Sequence, residues 1–414
     1  MKKEIDKKIS NLILLERKRR TEGLELIPSE NHTSPAVLAA LSSILNDKYA
    51  EGYPTKRYYG GCEVIDQVET LCQERAKKLF NVPYVNVQPY SGSPANQAVY
   101  FATIEPGQKV MGMDLTVGGH LTHGSKYNFS GRYYHSIFYG VKKRDGRIDY
   151  EEMEKIAKKE RPKLIWASTT AYPRIIDWSK FRKIADSVGA YLAADIAHIV
   201  GLIIAGVHPS PVPYAHLITT TTHKTLRGPR GGMIMVTPSG IKKDDTLPVK
   251  IDKAVFPGLQ GGPHLHQIAG IAVALYEAEK VSYKNYGRQI VKNANALANA
   301  LLEYNFNLVT GGTDNHLLVV DLQSKKILGQ EAQELLDKAG ITVNKNTIPY
   351  DPNPPFRPSG IRLGTPAVTT RGMKEREMKV IGRWINEVLE KRDEAVCAQV
   401  KKEVKRFCQK FPIP

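Results

Sequence analysis

Cysteine is scarce in this chain, and its cysteines lie far apart. The four are Cys62, Cys72, Cys397 and Cys408, and no two of them form a C-x-x-C pair. Structural zinc sites and disulfide frameworks need several cysteines at short, regular spacings. The sequence therefore indicates neither a zinc-binding module nor a small secreted domain held together by disulfides.

Long apolar runs are missing as well. The longest, IAHIVGLIIAGV over residues 196–207, contains a histidine and is too short to span a bilayer. Near the N-terminus, Glu4 and Asp6 stand where a secretory signal would need an apolar core. We therefore expect a soluble cytoplasmic protein with no membrane partner.

Repeats and low-complexity tracts are absent, so the 414 residues are expected to form a globular protein. The charge is one-sided, with a formal net value of +17. Such an excess favours anionic partners, among them nucleic acid. The basic runs at both ends are interrupted by acidic residues, however, and no series of stacking aromatics accompanies them. We interpret them as solvated helix surfaces and do not expect nucleic acid to be a partner.

Helix and strand patterns alternate from about residue 35 to residue 280. Continuously apolar stretches such as KLIWAS and AYLAAD alternate with amphipathic helices, a pattern typical of a mostly parallel sheet covered by helices on both faces. Beyond residue 280 a long helix leads into short strands and two final helices. We predict an α/β fold in which residues 1–280 form an N-terminal segment and a large domain. Residues 281–414 are predicted to form a smaller α+β domain.

Ligands of such sheets bind at the carboxyl ends of the strands. After one predicted strand, in PYSGSPAN, Ser93-Pro94 predicts a helix start whose free N–H groups would attract a phosphate. Asp195 ends another apolar strand, with His198 three residues on. An ordinary helix cap is the alternative for both stretches.

Lys224 follows a third strand, in TTTTHKTLRGPRGG at residues 219–232. Lysine is seldom buried without a partner, so one delivered by a buried strand suits Schiff-base chemistry. A lysine, an acid and a phosphate cradle are the parts that hold pyridoxal phosphate. We expect the positive charges of Arg227 and Arg230 to lower the pKa of Lys224.

Three further stretches carry candidate residues. GGHLTHG contains His120 and His123, but no carboxylate or cysteine stands nearby at ligand spacing, so we expect no metal site and a ring stacked on an aromatic cofactor. YAEGYPTKRYYGGCE places Glu51 among tyrosines as a proton donor, with an exposed loop as the alternative. Arg362 in SGIRLGTPA suits a substrate carboxylate, with a surface salt bridge as the alternative.

Eight motifs together make the chain resemble the serine hydroxymethyltransferases over nearly its whole length. In order they are SENHTS, YAEGYPTKRYYGG, QPYSGSPAN, GGHLTHG, DIAH, TTTTHKTLRGPRGG, FPGLQGGPH and SGIRLGTPA. The resemblance implies the aminotransferase-like fold, which is fold type I of pyridoxal phosphate enzymes. It also implies the reversible conversion of L-serine and tetrahydrofolate to glycine and 5,10-methylenetetrahydrofolate.

The resemblance assigns cofactor contacts to this chain. Lys224 corresponds to the lysine that holds pyridoxal phosphate, and Asp195 to the acid that binds its pyridine nitrogen. The other corresponding positions are Tyr49, Ser91, Gly92, Ser93, His120, Thr170, His198, Arg230, Gly261 and Gly262. Of these, residues 91–93 would hold the phosphate, His120 would stack on the ring and His198 would lie near its phenolic oxygen. At position 170, many members have serine.

The resemblance also assigns residues to the substrates. The positions that correspond to catalytic residues are Lys224, Glu51, Tyr59 and His223, and those that correspond to amino-acid contacts are Ser29, Tyr59 and Arg362. The positions that correspond to folate contacts are Glu51, Tyr58, Leu115, Gly119, Leu121 and Asn346. In the family, Glu51 and Tyr59 handle protons around the serine hydroxymethyl group.

The family's active site is shared between subunits. Tyr49, Glu51, Tyr59 and the glycines at 261 and 262 correspond to residues that reach the site from the neighbouring subunit, which implies a homodimer. A folate-independent pyridoxal phosphate aldolase acting on 3-hydroxy amino acids is the alternative function. The intact GGHLTHG stretch and Asn346 favour the folate-dependent enzyme.

Overall fold

The structure, a computed structural model, describes residues 6–414. Its strands are β1 (Leu24–Glu25), β2 (Gly52–Tyr53), β3 (Lys56–Arg57), β4 (Tyr84–Asn86), β5 (Lys109–Met113), β6 (His135–Tyr139), β7 (Leu164–Ser168), β8 (Tyr191–Asp195), β9 (Leu217–Thr221), β10 (Gly232–Val236), β11 (Asn307–Leu308), β12 (Leu317–Asp321), β13 (Ile341–Thr342), β14 (Asn344–Asn346) and β15 (Gly360–Gly364).

Helices surround these strands. They are α1 (Lys7–Glu22), α2 (Pro35–Leu41), α3 (Glu63–Phe80), α4 (Gly92–Thr103), α5 (Phe129–Tyr133), α6 (Tyr150–Glu160), α7 (Trp178–Val188), α8 (Val200–Ile204), α9 (Pro238–Lys243), α10 (Leu247–Val255), α11 (Leu265–Ala278), α12 (Val281–Glu303), α13 (Gly329–Lys338), α14 (Pro366–Thr370), α15 (Glu375–Lys391) and α16 (Glu394–Cys408). Within residues 6–414, no helix combines the length and apolarity needed to cross a membrane.

A seven-stranded sheet organises the larger part of the chain, in the order β4-β10-β9-β8-β7-β5-β6. β10 is antiparallel to both of its neighbours, and every other neighbouring pair is parallel. The predicted mostly parallel α/β sheet is therefore confirmed.

Helices cover both faces of this sheet because alternate side chains along a strand point to opposite faces. In β7, Leu164 and Trp166 join an apolar cluster with α4 and α10. Ile165 and Ala167 join a different cluster with α3, α7 and α11. All four side chains are fully buried, and complete burial of a large apolar side chain stabilises the fold by about 1.5–3 kcal/mol.

A second sheet, β11-β12-β15-β14, is antiparallel and packs with α12, α13, α15 and α16 around its own apolar cluster. Leu24 and Leu26 belong to that cluster, and β1 pairs with β13. The N-terminal segment therefore packs with the C-terminal part of the chain. The division at residue 280 stays a prediction, although α12 begins at Val281.

Two local predictions differ from the structure. Strand β6 was not expected from HSIFY, because it lies at the sheet edge and several of its side chains are partly exposed. Helix α4 begins at Gly92 with Ser91 as its N-cap, so the predicted start at Ser93-Pro94 is two residues late. The hydroxyl of Ser91 makes no capping hydrogen bond and is therefore available to a ligand.

Candidate active site

A cavity of about 340 Å³ opens where β7, β8 and β9 end. Ser168 ends β7 and pairs in register with Asp195, which ends β8. Twelve of the predicted site residues line this cavity, namely Ser29, Ser91, Gly92, Ser93, His120, Thr170, Asp195, His198, His223, Lys224, Arg230 and Arg362. The carboxyl edge of the parallel strands is therefore the site, as the topology predicts.

The N-terminus of α4 forms one wall of the cavity. The backbone passes very close to its neighbours here, since a Cβ atom on Gly92 would lie 2.6 Å from Cγ2 of Thr221. The hydroxyl of Thr221 is buried and has no hydrogen-bond partner in the described chain. Arg230 also lines this cavity and forms no ion pair with a carboxylate of residues 6–414. Free N–H groups, a free hydroxyl and a free cation together suit a phosphate.

Asp195 is a buried carboxylate with three donors around it. Its Oδ1 accepts from the backbone N–H of Ala197 at 3.0 Å, and its Oδ2 accepts from Nδ2 of Asn96 at 2.9 Å. Nε2 of His123 lies 3.2 Å from the same Oδ2. Burial alone would raise the pKa of Asp195, but the hydrogen bond and charge of His123, together with the charges of His120 and Lys224, outweigh burial and hold this pKa below its usual range. The carboxylate is ionised and suits a protonated ring nitrogen.

The expectation that no carboxylate lies near the histidine pair is wrong. Ligand atoms of His120, His123 and Asp195 all lie within 4.8 Å of one another. Sequence spacing missed this because Asp195 comes from a different strand. Nε2 of His123 faces Asp195, and Nδ1 of His120 lies 2.7 Å from the hydroxyl of Thr122. The absence of a metal site stays a prediction.

Lys224 is buried in the loop that follows β9. Burial lowers its pKa to about 8, Asp195 opposes that shift, and the charges of Arg362 and Arg230 add to it. The expected contribution of Arg227 is wrong, because its guanidinium lies 3.8 Å from Glu277 and over the ring of Tyr286. The amine of Lys224 forms no ion pair with any described carboxylate. Because its pKa is about 8, a fraction of the amine is uncharged and nucleophilic near neutral pH.

Arg362 lies in the middle of β15, and its side chain is only 8% exposed. Its Nη1 donates to the carbonyl of Thr170 at 2.7 Å, and its Nε donates to Oδ1 of Asn344 at 3.1 Å. Burial lowers the pKa of Arg362 to about 10, so it is charged at neutral pH. No described carboxylate pairs with it, and the surface salt bridge considered as the alternative is wrong. A buried cation without a partner needs an anion, which a substrate carboxylate supplies.

The comparison with known families agrees with this geometry. A model of the serine hydroxymethyltransferase family matches residues 2–385. The chain belongs to that family. The predicted resemblance is confirmed, and with it the aminotransferase-like fold and the class of pyridoxal-phosphate-dependent hydroxymethyltransferase enzymes. Helix α16 lies beyond the matched residues.

Some residues that the family resemblance singled out lie outside the cavity and form a group of their own. The rings of Tyr49 and Tyr59 are 5.1 Å apart, and Glu51 raises the pKa of Tyr59 through its charge. A Cβ atom on Gly261 would lie 3.0 Å from Oε1 of Glu51, and one on Gly262 would lie 3.2 Å from the ring of Tyr49. The side chains of Tyr49, Tyr58 and Tyr59 are exposed, so the alternative of an exposed loop stays open for the single chain.

None of the predicted folate contacts lines the cavity, and three of them, Leu115, Gly119 and Leu121, flank His120 in the chain. Leu115 and Leu121 lie in short helical turns on either side of it, and both are exposed. Gly119 allows a tight backbone approach, because a Cβ atom there would lie 2.0 Å from the carbonyl oxygen of Met113. Asn346 ends β14 and is partly exposed.

Sequence reasoning missed Asn96, which lines the cavity. Asn96 is almost fully buried on α4, where its Nδ2 donates to Asp195 and its Oδ1 accepts from the hydroxyl of Thr219 at 2.6 Å. The sequence did contain a signal for it, because Asn96 is a polar residue on a helix face that otherwise consists of apolar and small residues. Buried amides of this kind usually hold another polar group in place.

Proposed function

We propose that this member of the family transfers the hydroxymethyl carbon of L-serine to tetrahydrofolate reversibly, giving glycine and 5,10-methylenetetrahydrofolate. The observation that carries the proposal is the convergence in one cavity of a depressed-pKa lysine, an ionised aspartate, a helix N-terminus and an unpaired buried arginine. Each of these four features matches one functional group of pyridoxal phosphate or of an amino-acid substrate.

The cavity fits pyridoxal phosphate. Lys224 would hold it covalently, Asp195 would bind its protonated ring nitrogen, and the N-terminus of α4 with Thr221 would bind its phosphate. Burial lowers the pKa of His120 to about 4, so its neutral ring suits stacking. When bound, the cofactor supplies a ring that delocalises the charge developing at the α-carbon of the amino acid. His223, Thr170 and Arg230 complete the proposed contacts.

The amino acid would be oriented by its carboxylate. Arg362 offers a charged guanidinium fixed by Thr170 and Asn344, and Ser29 lines the same cavity. A guanidinium whose other bonds are already made loses little freedom on binding, so the carboxylate is held in one orientation. The side chain of serine then points to a fixed place in the site.

Proton transfer and folate binding are assigned to groups that a second copy of the chain would complete. Glu51 and Tyr59 would handle the proton of the serine hydroxyl, with Tyr49, Gly261 and Gly262 beside them. Helix α1 supports a dimer, because it has no buried residue and exposes Leu12 and Leu14. Folate would contact Glu51, the exposed side chains of Tyr58, Leu115 and Leu121, and also Gly119 and Asn346.

The absorption spectrum of the purified protein tests this proposal. With pyridoxal phosphate we expect a visible band that glycine changes, and a new long-wavelength band when glycine and tetrahydrofolate are both present. Lys224→Ala should lack the visible band of the parent protein. If the spectrum with glycine is the same with and without tetrahydrofolate, the folate-independent aldolase is favoured. No visible band under any condition would refute both.

A further inference from the structure

Two buried histidines meet beside the cavity, one from each part of the chain. His198 follows β8 and lines the cavity, and His316 directly precedes β12 and is fully buried. Nδ1 of His198 lies 3.3 Å from Nε2 of His316, and the ring centroids are 5.5 Å apart. The smaller sheet therefore contributes His316 to this region in addition to Arg362.

Both rings are neutral. Burial lowers the pKa of His198 well below its usual range and that of His316 to about 3, and the positive charges of Lys224 and Arg362 add to both shifts. A neutral imidazole carries one N–H group and one lone pair. One proton therefore lies between the two rings. If His316 carries this proton, the other nitrogen of His198 is a donor, and if His198 carries it, that nitrogen is an acceptor.

The surroundings of His316 decide between the two arrangements. Its Nδ1 is buried and has no hydrogen-bond partner among residues 6–414. If His198 donated the shared proton, the proton of His316 would lie on that Nδ1 as an unsatisfied buried N–H, which proteins rarely tolerate. If His316 donates instead, both rings are protonated on Nε2, the tautomer that a free neutral histidine side chain prefers.

We infer that His316 is a positioning residue that donates from Nε2 to Nδ1 of His198 and so fixes the proton of His198 on Nε2. That Nε2 has no hydrogen-bond partner in the described chain, and it is the remaining polar atom of a ring that lines the cavity. His198 therefore offers the cavity a fixed N–H donor. The identity of the acceptor rests on the proposed function: the N–H of His198 donates to the phenolic oxygen of the cofactor. His316 itself does not line the cavity.

Nitrogen-15 NMR of histidine-labelled protein without cofactor tests the tautomer directly. The resonances of His198 are assigned by their loss in His198→Asn. We expect a bare nitrogen at Nδ1 and a protonated nitrogen at Nε2. The reverse pattern in the parent protein would overturn the inference, and no variant of His316 is needed to see it.

Two variants of His316 distinguish a role as hydrogen-bond donor to His198 from a role in packing alone. In His316→Gln the amide N–H₂ keeps a donor, and we expect His198 to stay protonated on Nε2. In His316→Leu the donor is lost, and we expect a mixture of both His198 tautomers. With cofactor and both substrates, kcat of His316→Leu should fall about five- to tenfold with KM for serine little changed. His316→Gln should stay within about twofold of the parent.

Failure of the inference and failure of the proposed function are distinguishable. If the protein binds no pyridoxal phosphate, the NMR result still decides the tautomer. If it binds the cofactor and both His316 variants show the parent's His198 tautomer, His316 is only a packing residue and the inference is wrong.

Discussion

The amine of Lys224 owes its reactivity to burial more than to neighbouring charge. Burial is the largest cause that lowers its pKa to about 8, and among the neighbouring charges that add to this shift Arg362 of the smaller sheet contributes most. Sequence proximity suggested Arg227, which instead pairs with Glu277. Distances in space, and not positions along the chain, decide which charges act on a buried group.

The depressed pKa makes a prediction for stability in the cofactor-free protein. Because the folded state disfavours the charged amine, the unfolded state binds more protons between about pH 8 and the usual lysine range, so stability should rise with pH there. Below pH 8 the folded state bears the full free-energy cost of burying the charged amine. Lys224→Met removes it, and we expect the variant to be more stable at pH 7 by up to about 3 kcal/mol.

Urea unfolding at pH 7 and at pH 9.5 measures this effect. The stability difference between Lys224→Met and the parent should shrink at the higher pH. Lys253→Met is the control, because that lysine lies outside the cavity. A difference that is equal at both pH values would show that the amine is not disfavoured by burial.

Arg362 makes a second prediction, for substrate binding. Arg362→Ala removes the only cavity cation fixed by two hydrogen bonds within the described residues, and the carboxylate of serine loses its partner. We expect KM for serine to rise about 30- to 100-fold, since a buried charge-assisted contact contributes about 2–3 kcal/mol. The exposed Arg144→Ala is the control. An unchanged KM for serine, measured by steady-state kinetics, would contradict this role.

The β2–β3 hairpin is held by one buried arginine, which gives a prediction about an element. Nη2 of Arg57 lies 2.6 Å from Glu69, and its Nη1 donates to the carbonyl oxygens of Ala50 and Gly52. The same hairpin carries Glu51, whose carbonyl accepts from the N–H of Tyr58 at 3.0 Å. Arg57 therefore positions two of the residues proposed to meet folate.

Removing Arg57 leaves Glu69 buried without its cation. We expect Arg57→Met to lower the free energy of unfolding by about 3–5 kcal/mol. The double variant Arg57→Met, Glu69→Met should recover much of that loss, because the fully buried carboxylate is removed with its cation and only Asp66, which is partly exposed, loses its ion pair. Denaturant unfolding of the three proteins measures it. A double variant no more stable than Arg57→Met would show that the hairpin, and not the charge pair, determines the loss.

Helix α1 makes a prediction for the assembly. It exposes Leu12, Ile13, Leu14 and Leu15, whereas the helices of the two sheets bury their apolar faces. We expect Leu12→Glu, Leu14→Glu to shift the protein from the proposed dimer to a monomer in light-scattering measurements after size-exclusion chromatography. Val281→Glu, on another exposed surface, should leave the dimer intact. A dimer unaffected by the α1 substitutions would place the interface elsewhere.

Much of the fold could be predicted from the sequence, because the patterns that predict it involve residues close together in the chain. Strand and helix periodicities are properties of neighbouring residues, so the predicted mostly parallel sheet is confirmed. The edge strand β6 was missed because its side chains lack a continuous apolar pattern.

The contacts that tune the site could not be predicted from the residues in the same way. Asn96, His123 and Asp195 meet only after α4, a turn and β8 are packed together. The bond between His198 and His316 joins segments that are 118 residues apart. Such pairs are decided by tertiary structure, which no local pattern encodes.

The most direct test of the proposed active site is to fix the cofactor chemically and find where it is attached. The protein is loaded with pyridoxal phosphate, reduced with borohydride, digested and examined by mass spectrometry. We predict that the cofactor's mass is added to the peptide containing Lys224 and to no other lysine peptide. Modification of a different lysine, or of none, would contradict the assignment of this cavity as the active site.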